Sequence, residues 1–289
     1  MILIADSGST KTDWVLIDKV GQTKRFETVG FNPYFVPAKE MSKILDKFLV
    51  PFINNKSVKE VFYYGSGCST KNKCFIVEEA LDRVFPNARM EVEHDLLGAA
   101  RGLFGKQKGI ACILGTGSNS CLYDGGKIIE NVPSLGYLFG DEGSGAHIGK
   151  IFISEYLRGK LPKVIKTAFD EQYNLNLENI LDAVYNQAWP NRFLASFMEF
   201  IAEYKENKYV HNLVHSSFRK FFGEQITKYT NYDKVSMATV GSVGYYFKEI
   251  IREVADSYHV KLKTVKKDPI HGLIKYHFTG EQGTVNCEQ

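Results

Sequence analysis

A pattern of strand, turn of small residues and strand occurs twice in this sequence, about a hundred residues apart, and it constrains the fold more than any other feature. The first copy occupies residues 1–18 and has its turn at Ser7-Gly8-Ser9, and the second occupies residues 109–123 with its turn at 115–119. Short apolar runs bounded by small residues predict buried strands joined as hairpins. The repeat predicts an α/β fold of two related domains, each presenting a hairpin to a cleft between them, where small-molecule sites usually form.

The first turn has the composition of an anion-binding loop. The backbone N–H groups of Ser7-Gly8-Ser9 can converge on a phosphate, Thr10 adds a hydroxyl donor, and Lys11 follows it. A P-loop differs, because it leads from a strand into a helix, whereas a second strand follows here. Asp6 ends the first strand, where a carboxylate can hold Mg²⁺ directly or through water. An ordinary tight hairpin with a polar tip is the alternative.

The length of 289 residues suits two domains of ordinary size. We predict domains at residues 1–105 and 106–278, followed by a polar tail at 279–289. A last helix, beginning at Pro269, can pack back on the first domain. The second domain contains a large helical insertion, and the apolar spacing predicts helices at residues 146–157, 177–187, 193–204 and 210–229.

The composition excludes several classes of protein. A net charge of +3 and 44% hydrophobic residues indicate a soluble globular chain without the strong field expected of a nucleic-acid or membrane partner. The apolar runs are too short to span a bilayer and the first residues lack a signal-peptide pattern, so we expect a cytoplasmic protein. The five cysteines are odd in number and widely spaced, which argues against a disulfide framework and a structural zinc site.

Asp95 is the strongest single candidate for chemistry. It closes a predicted strand and opens a predicted helix, a position where an aspartate often serves only as an N-cap. However, the strand ends that carry Asp6, Asp95 and Gly115 should open on one crevice, the usual ligand position in α/β sheets. A carboxylate there can accept the proton of a hydroxyl group as its oxygen attacks a γ-phosphoryl group.

Two further motifs lie at turns that lead into helices. Asp141 is flanked by glycines and can either accept a hydrogen bond from a sugar hydroxyl or cap the following helix. Gly241-Ser242 follows a predicted strand and permits the close approach of an adenine or ribose, although a plain strand-to-helix turn is the alternative. His211 and His215 are four residues apart on a predicted helix without a third ligand, so a packed or solvated face is favoured over a metal site.

Taken in order, these motifs resemble the N-acetylglucosamine kinase branch of the actin, sugar kinase and Hsp70 superfamily, within the group of ATPases that includes the benzoyl-CoA reductase activators. The resemblance runs from Met1 to about Tyr276. It is strongest at Asp6–Thr12, Asn32, Asp95, Gly115–Asn119, Gly140–Ser144 and Gly241-Ser242. It implies two ribonuclease H-like, actin-like ATPase domains with an interdomain cleft, and phosphorylation of N-acetylglucosamine at O6 by ATP.

The resemblance also implies a role for each matched residue. Asp6 would serve Mg²⁺, directly or through water, and Asp95 would activate the 6-hydroxyl group. The ATP phosphates would be bound by Ser7, Gly8, Ser9, Thr10, Lys11, Gly115, Thr116 and Gly117, and the adenosine by Gly241 and Ser242. The amino sugar would be bound by Asn32, Ser118, Asn119, Ser134, Leu135, Gly136 and Asp141. Leu135 stands where the animal kinases have a tryptophan, which changes the expected contact to the apolar face of the sugar.

Other functions remain open at this point. Within a kinase, N-acetylmuramic acid or glucosamine can replace N-acetylglucosamine as the substrate. In the activator ATPases, hydrolysis gates electron transfer from an iron–sulfur cluster shared between two subunits, for which Cys68 and Cys74 are the only close pair of cysteines. A sugar-binding regulator without turnover is disfavoured by the presence of the catalytic acid. The expected partners are the amino sugar and ATP, and a homodimer is compatible with this interpretation.

Overall fold

The computed structural model describes residues 1–8 and 10–278, and the chain divides into two compact units. Unit 1 comprises Met1–Gln107, Gly125–Lys127 and the chain from Asp268 onward, and unit 2 comprises Lys108–Asp124 and Ile128–Lys267. The predicted tail at 279–289 and Ser9 of the first turn lie outside the described residues. The chain thus returns to unit 1 at Asp268 after completing unit 2.

Each unit is built on one five-stranded sheet. The strands of unit 1 are β1 (Ile2–Ser7), β2 (Lys11–Ile17), β3 (Thr23–Val29), β4 (Glu60–Gly65) and β5 (Arg89–His94). The strands of unit 2 are β6 (Gly109–Leu114), β7 (Ser118–Tyr123), β8 (Ile128–Glu130), β9 (Met237–Val240) and β10 (Leu262–Lys266).

The two sheets have the same topology, which confirms the predicted duplication. Their strand orders are β3-β2-β1-β4-β5 and β8-β7-β6-β9-β10. In each sheet the first three strands form an antiparallel meander, and the last two run parallel to the first. Parallel neighbours require crossover connections, which helices provide in both units. The fold is therefore α/β, as expected from the repeat.

The helices of unit 1 are α1 (Ala38–Phe48), α2 (Lys71–Val84), α3 (Asp95–Phe104) and α13 (Ile270–His277). The helices of unit 2 are α4 (Gly136–Phe139), α5 (Gly145–Leu157), α6 (Lys163–Tyr173), α7 (Leu177–Tyr185), α8 (Pro190–Ser196), α9 (Met198–Glu203), α10 (Lys208–Glu224), α11 (Ser242–Tyr246) and α12 (Lys248–Ser257). No helix within the described residues has both the length and the apolar composition that crossing a bilayer requires.

The helical insertion differs from the prediction in two places. Helix α6 lies between the helices predicted at 146–157 and 177–187, in a stretch where none is predicted, and Pro162 is its N-cap residue. The helix predicted at 193–204 is two helices, α8 and α9, with Phe197 between them. The Phe197 ring is buried and lies 5.6 Å from the Phe169 ring, so the interruption places an aromatic side chain in the core of unit 2.

Unit 1 has an apolar layer on each face of its sheet. On one face, Trp14 is fully buried against Phe31 and Tyr63, at ring-centroid distances of 6.4 and 6.0 Å. On the other face, Ile4 and Val15 pack in a second cluster with residues of α13. Because successive side chains of a strand point to opposite faces, the unbroken apolar run in β1 supplies both layers.

Helices α3 and α13 of unit 1 approach each other closely at two glycines. A Cβ atom on Gly272 would overlap the carbonyl oxygen of Gly102 and lie 2.5 Å from its carbonyl carbon. A Cβ atom on Gly102 would lie 2.7 Å from the backbone oxygen of Pro269. This approach leaves no room for a side chain at either position, and it sets how α13 sits on the start of the sheet.

Candidate active site

The carboxyl ends of β1, β4 and β5 lie at one edge of the unit 1 sheet, because these strands are parallel neighbours. Asp6 on β1 pairs with Tyr64 on β4, which in turn pairs with Glu93 on β5. Asp95 follows β5 directly as the first residue of α3. Four aspartates interact here through their charges, and we call them the acidic edge: Asp6, Asp13, Asp95 and Asp268.

Asp6 is the acid on which the other three act. Burial raises its pKa well above the ordinary value, and the negative charges of Asp95, Asp13 and Asp268 raise it further. Lys11 opposes this shift weakly, because its ammonium group is bound to Asp13 at 2.9 Å and to Glu27 at 3.0 Å. Asp6 is thus surrounded by negative charge that Lys11 offsets only in part.

This surplus of carboxylate fits a bound cation. Oxygen donors are the ligands that Mg²⁺ prefers, and Mg²⁺ on a nucleotide keeps several waters and takes few carboxylates. Among the described residues, no group of three or more His, Cys, Asp or Glu side chains is close enough to hold a metal directly. The donor set therefore suits a cation held by one or two carboxylates and by water rather than a cage of protein ligands.

Asp95 occupies the junction between β5 and α3 together with His94. The N-cap residue of α3 is His94, so the alternative that Asp95 is the N-cap is wrong. One carboxylate oxygen, Oδ1 of Asp95, accepts the N–H of Leu96 at 2.8 Å and lies 2.8 Å from Nδ1 of His94. The Asp95 side chain remains 22% exposed, so a substrate can reach it.

The residues of the first hairpin that are predicted to bind phosphate differ in exposure and in hydrogen bonding. Thr10 is exposed at the tip, and the N–H of Gly8 donates to the carbonyl of Lys11 at 2.9 Å. Ser7 is fully buried: its hydroxyl is 2.7 Å from that of Thr12 and accepts the N–H of Phe31 at 3.3 Å. The side chain of Ser7 therefore fixes the base of the hairpin and is not available to a phosphate. Lys11 is engaged with carboxylates along β2 and β3.

Asn32 lies in the loop between β3 and α1, against the turn that follows β4. Its side-chain oxygen accepts the N–H of Tyr34 at 3.0 Å, and a Cβ atom on Gly67 would lie 2.5 Å from that oxygen. Gly67 has a φ of +84°, a conformation that favours glycine. The side-chain amide of Asn32 is thereby held at a fixed place, with its NH₂ group as the remaining donor.

The second hairpin turn rests on the start of α5 in unit 2. The N–H groups of Gly145 and Ala146 donate to the carbonyls of Gly115 and Thr116, at 2.8 and 3.0 Å. The space around Gly115 is open, since a Cβ atom there would meet nothing within 4 Å. The turn is thus anchored through its carbonyl groups and has open space around its first glycine.

Gly241 brings the second hairpin and the predicted adenosine motif together. With a φ of +118° it lies so close to the end of β6 that a Cβ atom would overlap the Leu114 carbonyl oxygen and lie 3.0 Å from the N–H nitrogen of Gly115. Ser242 follows as the exposed first residue of α11. Two segments more than a hundred residues apart in sequence therefore form one small backbone surface in unit 2.

Asp141 organises the predicted sugar residues of unit 2. It is buried, and its Oδ1 accepts the N–H of Ser118 and the hydroxyl of Ser134, both at 3.2 Å. Burial raises its pKa, and these two hydrogen bonds oppose the shift. Its φ of +56° is a strained backbone conformation that is typical of functional sites. The N-cap of α5 is Ser144, so the capping alternative for Asp141 is wrong.

Of the other predicted sugar residues of unit 2, Leu135 and Gly136 precede Asp141 closely in the chain, and Asn119 follows Ser118, whose N–H donates to Asp141. The side-chain oxygen of Asn119 accepts the NH₂ group of Asn131 at 3.2 Å, which leaves its own NH₂ group as a donor. Leu135 is 60% exposed, and Gly136 has a φ of +69° and open space where a Cβ atom would stand. The sugar-side residues of unit 2 thus combine a buried acceptor, a side-chain amide donor and an exposed apolar group.

The structure adds two residues that the sequence does not reveal. Asp268 belongs to the acidic edge and accepts the N–H of Ile270 at 3.1 Å at the start of α13, but it lies 173 positions after Asp95 in a lysine-rich segment. His94 contacts Asp95, but sequence analysis singles out only the aspartate of this pair. The sequence signal for His94 is its position as the last residue of β5, directly before Asp95.

The remaining cysteines and histidines do not add a metal site within the described residues. Cys68 is buried and Cys74 lies in α2, where its thiol donates to the Cys68 carbonyl at 3.6 Å. Burial raises the pKa of both thiols. The rings of His211 and His215 stack 5.8 Å apart, and His211 also contacts Glu253. These contacts link side chains within a helix and between neighbouring segments.

Comparison with solved structures identifies close and distant relatives. The chain is 43% identical to a proposed N-acetylglucosamine kinase from Porphyromonas gingivalis, over 96% of this chain and 98% of that one, with a TM-score of 0.92. A proposed N-acetylglucosamine kinase from Chromobacterium violaceum matches at 17% identity, over 95% of this chain and 98% of that one, with a TM-score of 0.74.

The fold extends to more distant sugar kinases. A ROK family glucokinase from Streptomyces griseus, solved with glucose and AMPPNP, matches at 14% identity over 95% of this chain and 97% of that one, with a TM-score of 0.54. No protein-family profile and no curated protein sequence matches the chain. On the strength of its identity to the Porphyromonas gingivalis protein over nearly the whole length of both chains, this chain belongs to the N-acetylglucosamine kinase-like family of actin-like ATPase-fold sugar kinases.

Proposed function

We propose that this protein is an ATP-dependent kinase that transfers the γ-phosphoryl group of ATP to O6 of N-acetylglucosamine, with Asp95 as the general base. The observation that carries the proposal is the placement of a partly exposed Asp95 beside Asp6 on the acidic edge of a chain 43% identical to a proposed N-acetylglucosamine kinase. The Streptomyces griseus glucokinase, which binds glucose and an ATP analogue, supports ATP as the donor for this fold.

In this proposal the residues of unit 1 serve the reacting groups. Asp95 accepts the hydroxyl proton as O6 forms its bond to phosphorus and the bond to the leaving ADP oxygen breaks. Asp6, with Asp268 beside it, would hold Mg²⁺ through water, and the cation would neutralise charge on the phosphates. Gly8, Thr10 and, by the resemblance, Ser9 would approach the phosphates from the first turn. Ser7 and Lys11 act by fixing that turn.

The residues of unit 2 would bind the sugar and the rest of the nucleotide. Asp141, held by Ser118 and Ser134, offers a fixed acceptor to sugar hydroxyl groups, and a site built on a buried acceptor rejects analogues that lack the hydroxyl. Asn119, and Asn32 of unit 1, offer amide donors to the amino sugar. Gly115-Thr116-Gly117 and Gly241-Ser242 supply backbone groups to the phosphates and adenosine.

An ADP-release assay over a panel of sugars tests this function. We expect ADP to form rapidly with N-acetylglucosamine and slowly with glucose, glucosamine and N-acetylmuramic acid, and hydrolysis without sugar to be slow. A higher kcat/KM for N-acetylmuramic acid or glucosamine would move the assignment to that substrate. Fast ADP release that is independent of every sugar would contradict a kinase.

The alternative function, an activator ATPase with an iron–sulfur cluster, remains a hypothesis, and none of the contacts found among the described residues favours it. Its shared cluster requires cysteines that project from the protein surface. Cys68 is 3% exposed, and the thiol of Cys74, near the start of α2, donates to the carbonyl group of Cys68. An iron–sulfur cluster would give visible absorption in anaerobically purified protein, so that spectrum discriminates between the two hypotheses.

Asp141→Asn tests the sugar site of unit 2. Asparagine tolerates the left-handed conformation of this position and keeps a side-chain oxygen, so the variant removes the charge with little change of backbone. Since hydrogen bonds to charged groups contribute about 1.5–3 kcal/mol, we expect the KM for the sugar to rise roughly 10- to 100-fold, with a small change in the KM for ATP. Equal changes in both KM values would place Asp141 outside the sugar site.

Asp6→Asn tests the cation site and is expected to stabilise the protein without ligands. Because its folded-state pKa is raised, protonation of Asp6 favours folding at low pH, and this stabilisation is lost as the pH rises through the folded-state pKa. At neutral pH, which lies above the unfolded-state pKa, this raised pKa costs folding free energy that a neutral asparagine does not, so we expect Tm to rise by about 2 °C or more.

Magnesium provides the second half of this test. Mg²⁺ with ATP should raise the Tm of the wild-type protein more than that of Asp6→Asn, and phosphoryl transfer should fall in the variant. Asp82→Asn, an exposed aspartate on α2, is the matched control and should change neither value. A lower Tm for Asp6→Asn without ligands would contradict the charge argument.

A further inference from the structure

The contact between His94 and Asp95 defines how the proposed base is oriented. Nδ1 of His94 lies 2.8 Å from Oδ1 of Asp95, and Nδ1 also lies 3.1 Å from the backbone nitrogen of Leu96. An unprotonated imidazole nitrogen and a carboxylate oxygen are both acceptors, so this contact becomes attractive when Nδ1 carries a proton. The short contact therefore favours a ring protonated on Nδ1.

The N–H of Leu96 donates to both acceptors, to Oδ1 of Asp95 at 2.8 Å and to Nδ1 of His94 at 3.1 Å, and the shorter of the two bonds goes to the carboxylate. With a proton on Nδ1, the Leu96 N–H donates to the carboxylate and not to the ring. Oδ1 then receives two donors, one from the ring and one from the backbone. Both of its lone pairs are engaged, and Oδ2 is the oxygen left to accept a proton from substrate.

We propose that His94 is a positioning residue for the general base, in that its Nδ1–H holds Oδ1 of Asp95 and presents Oδ2 to the sugar hydroxyl. This inference rests on the proposed kinase function for its catalytic consequence. Proton balance is simple: the hydroxyl proton passes to Oδ2, the proton on Nδ1 stays with the ring, and Asp95 releases its proton to water after transfer.

The negative charges next to His94 favour the protonated form of its ring. Burial opposes the protonated ring, but Asp95 and Glu93 on β5 both favour it, and the pKa of His94 is raised on balance. The thiol of Cys68, from the segment after β4, and the carboxylate of Asp6 face Asp95 from the neighbouring strands. The other ring nitrogen, Nε2, belongs to a side chain that is 30% exposed, so the ring can exchange its second proton with water.

An NMR titration tests the contact without any need for turnover. In the nitrogen-15-labelled wild-type chain we expect His94 to carry its proton on Nδ1 when neutral, and in Asp95→Asn we expect the His94 pKa to fall by about one unit or more, because burial then acts without the carboxylate. A His94 pKa that is the same in both proteins, or a neutral ring protonated on Nε2 alone, would overturn the proposal.

Two matched substitutions test the catalytic consequence. Asparagine and glycine are both tolerated at an N-cap and both are uncharged, so His94→Asn and His94→Gly should both keep α3, and circular dichroism and Tm check this. Only asparagine offers a side-chain N–H to Oδ1. In the pH profile of kcat/KM, we expect the acid limb of His94→Asn to stay close to that of wild type and the acid limb of His94→Gly to move to higher pH by about one unit or more.

The outcomes separate this inference from the proposed function. Acid limbs at the same pH in both variants would overturn the positioning role, even if the wild-type enzyme phosphorylates N-acetylglucosamine. A wild-type protein that transfers no phosphate to any sugar would instead remove the proposed function, and the NMR titration would still decide the His94 contact. His211→Asn, which removes a histidine paired with Glu253 in unit 2, is the control and should leave the profile unchanged.

Discussion

Asp95→Asn is expected to lower kcat for N-acetylglucosamine by roughly two to four orders of magnitude, the usual effect of losing a positioned base. Asparagine can still accept the Leu96 N–H and has nearly the same volume, so the start of α3 should keep its structure. It cannot accept the hydroxyl proton. The KM for the sugar should change little, because the sugar is bound mainly by other residues. Steady-state kinetics by coupled ADP release measure both values.

Two controls make that result specific. Asp82→Asn on α2 removes an exposed aspartate from the same unit and should leave kcat unchanged. The Tm of Asp95→Asn should remain near that of wild type, which excludes partial unfolding as the cause. Turnover by Asp95→Asn within a few-fold of wild type would remove Asp95 from the role of base.

Gly272→Ala is expected to destabilise unit 1 by about 3 kcal/mol or more. A methyl group at this position would overlap the Gly102 carbonyl oxygen, and neither backbone can move without displacing α13 or α3. Overpacking typically costs about 1–3 kcal/mol, and a clash with backbone lies at the upper end of that range. Since α3 begins with Asp95, activity should fall together with stability. Urea unfolding followed by circular dichroism measures the change.

Gly223→Ala is the matched control for this substitution. Gly223 lies within α10, where a Cβ atom would meet only the Tyr258 hydroxyl at 3.6 Å. Alanine favours a helix over glycine by about 1 kcal/mol, so this variant should be as stable as wild type or more so. If Gly272→Ala unfolds at the same urea concentration as wild type, the close approach of α3 and α13 is not a constraint on the fold.

The duplicated fold could be predicted because its signals are local. The apolar runs and small turn residues of β1, β2, β6 and β7 specify two hairpins without reference to the rest of the chain. Asp95 stands out for the same reason, since a strand that ends in an acid and leads into a helix is visible in a short window of sequence. Such signals carry through to the structure because strand alternation and helix capping act over a few residues.

The features that could not be predicted depend on contacts between distant segments. Asp268 reaches the acidic edge because the chain returns to unit 1 after unit 2, which no local pattern announces. Ser7 is of a residue type that often binds phosphate, but the register of β1 with β2 places its hydroxyl group against that of Thr12. Helix α6 buries only Ile165 and Phe169, so its apolar stripe is too narrow to stand out.

Identification of the phosphorylated product is the most direct test of the central claim. After incubation with ATP, Mg²⁺ and N-acetylglucosamine, a proton–phosphorus NMR correlation spectrum shows which sugar oxygen carries the new phosphate. We predict a correlation from phosphorus to the two protons on C6, and its loss in Asp95→Asn over the same incubation. A correlation to the anomeric proton, or ADP without any phosphorylated sugar, would contradict the assignment.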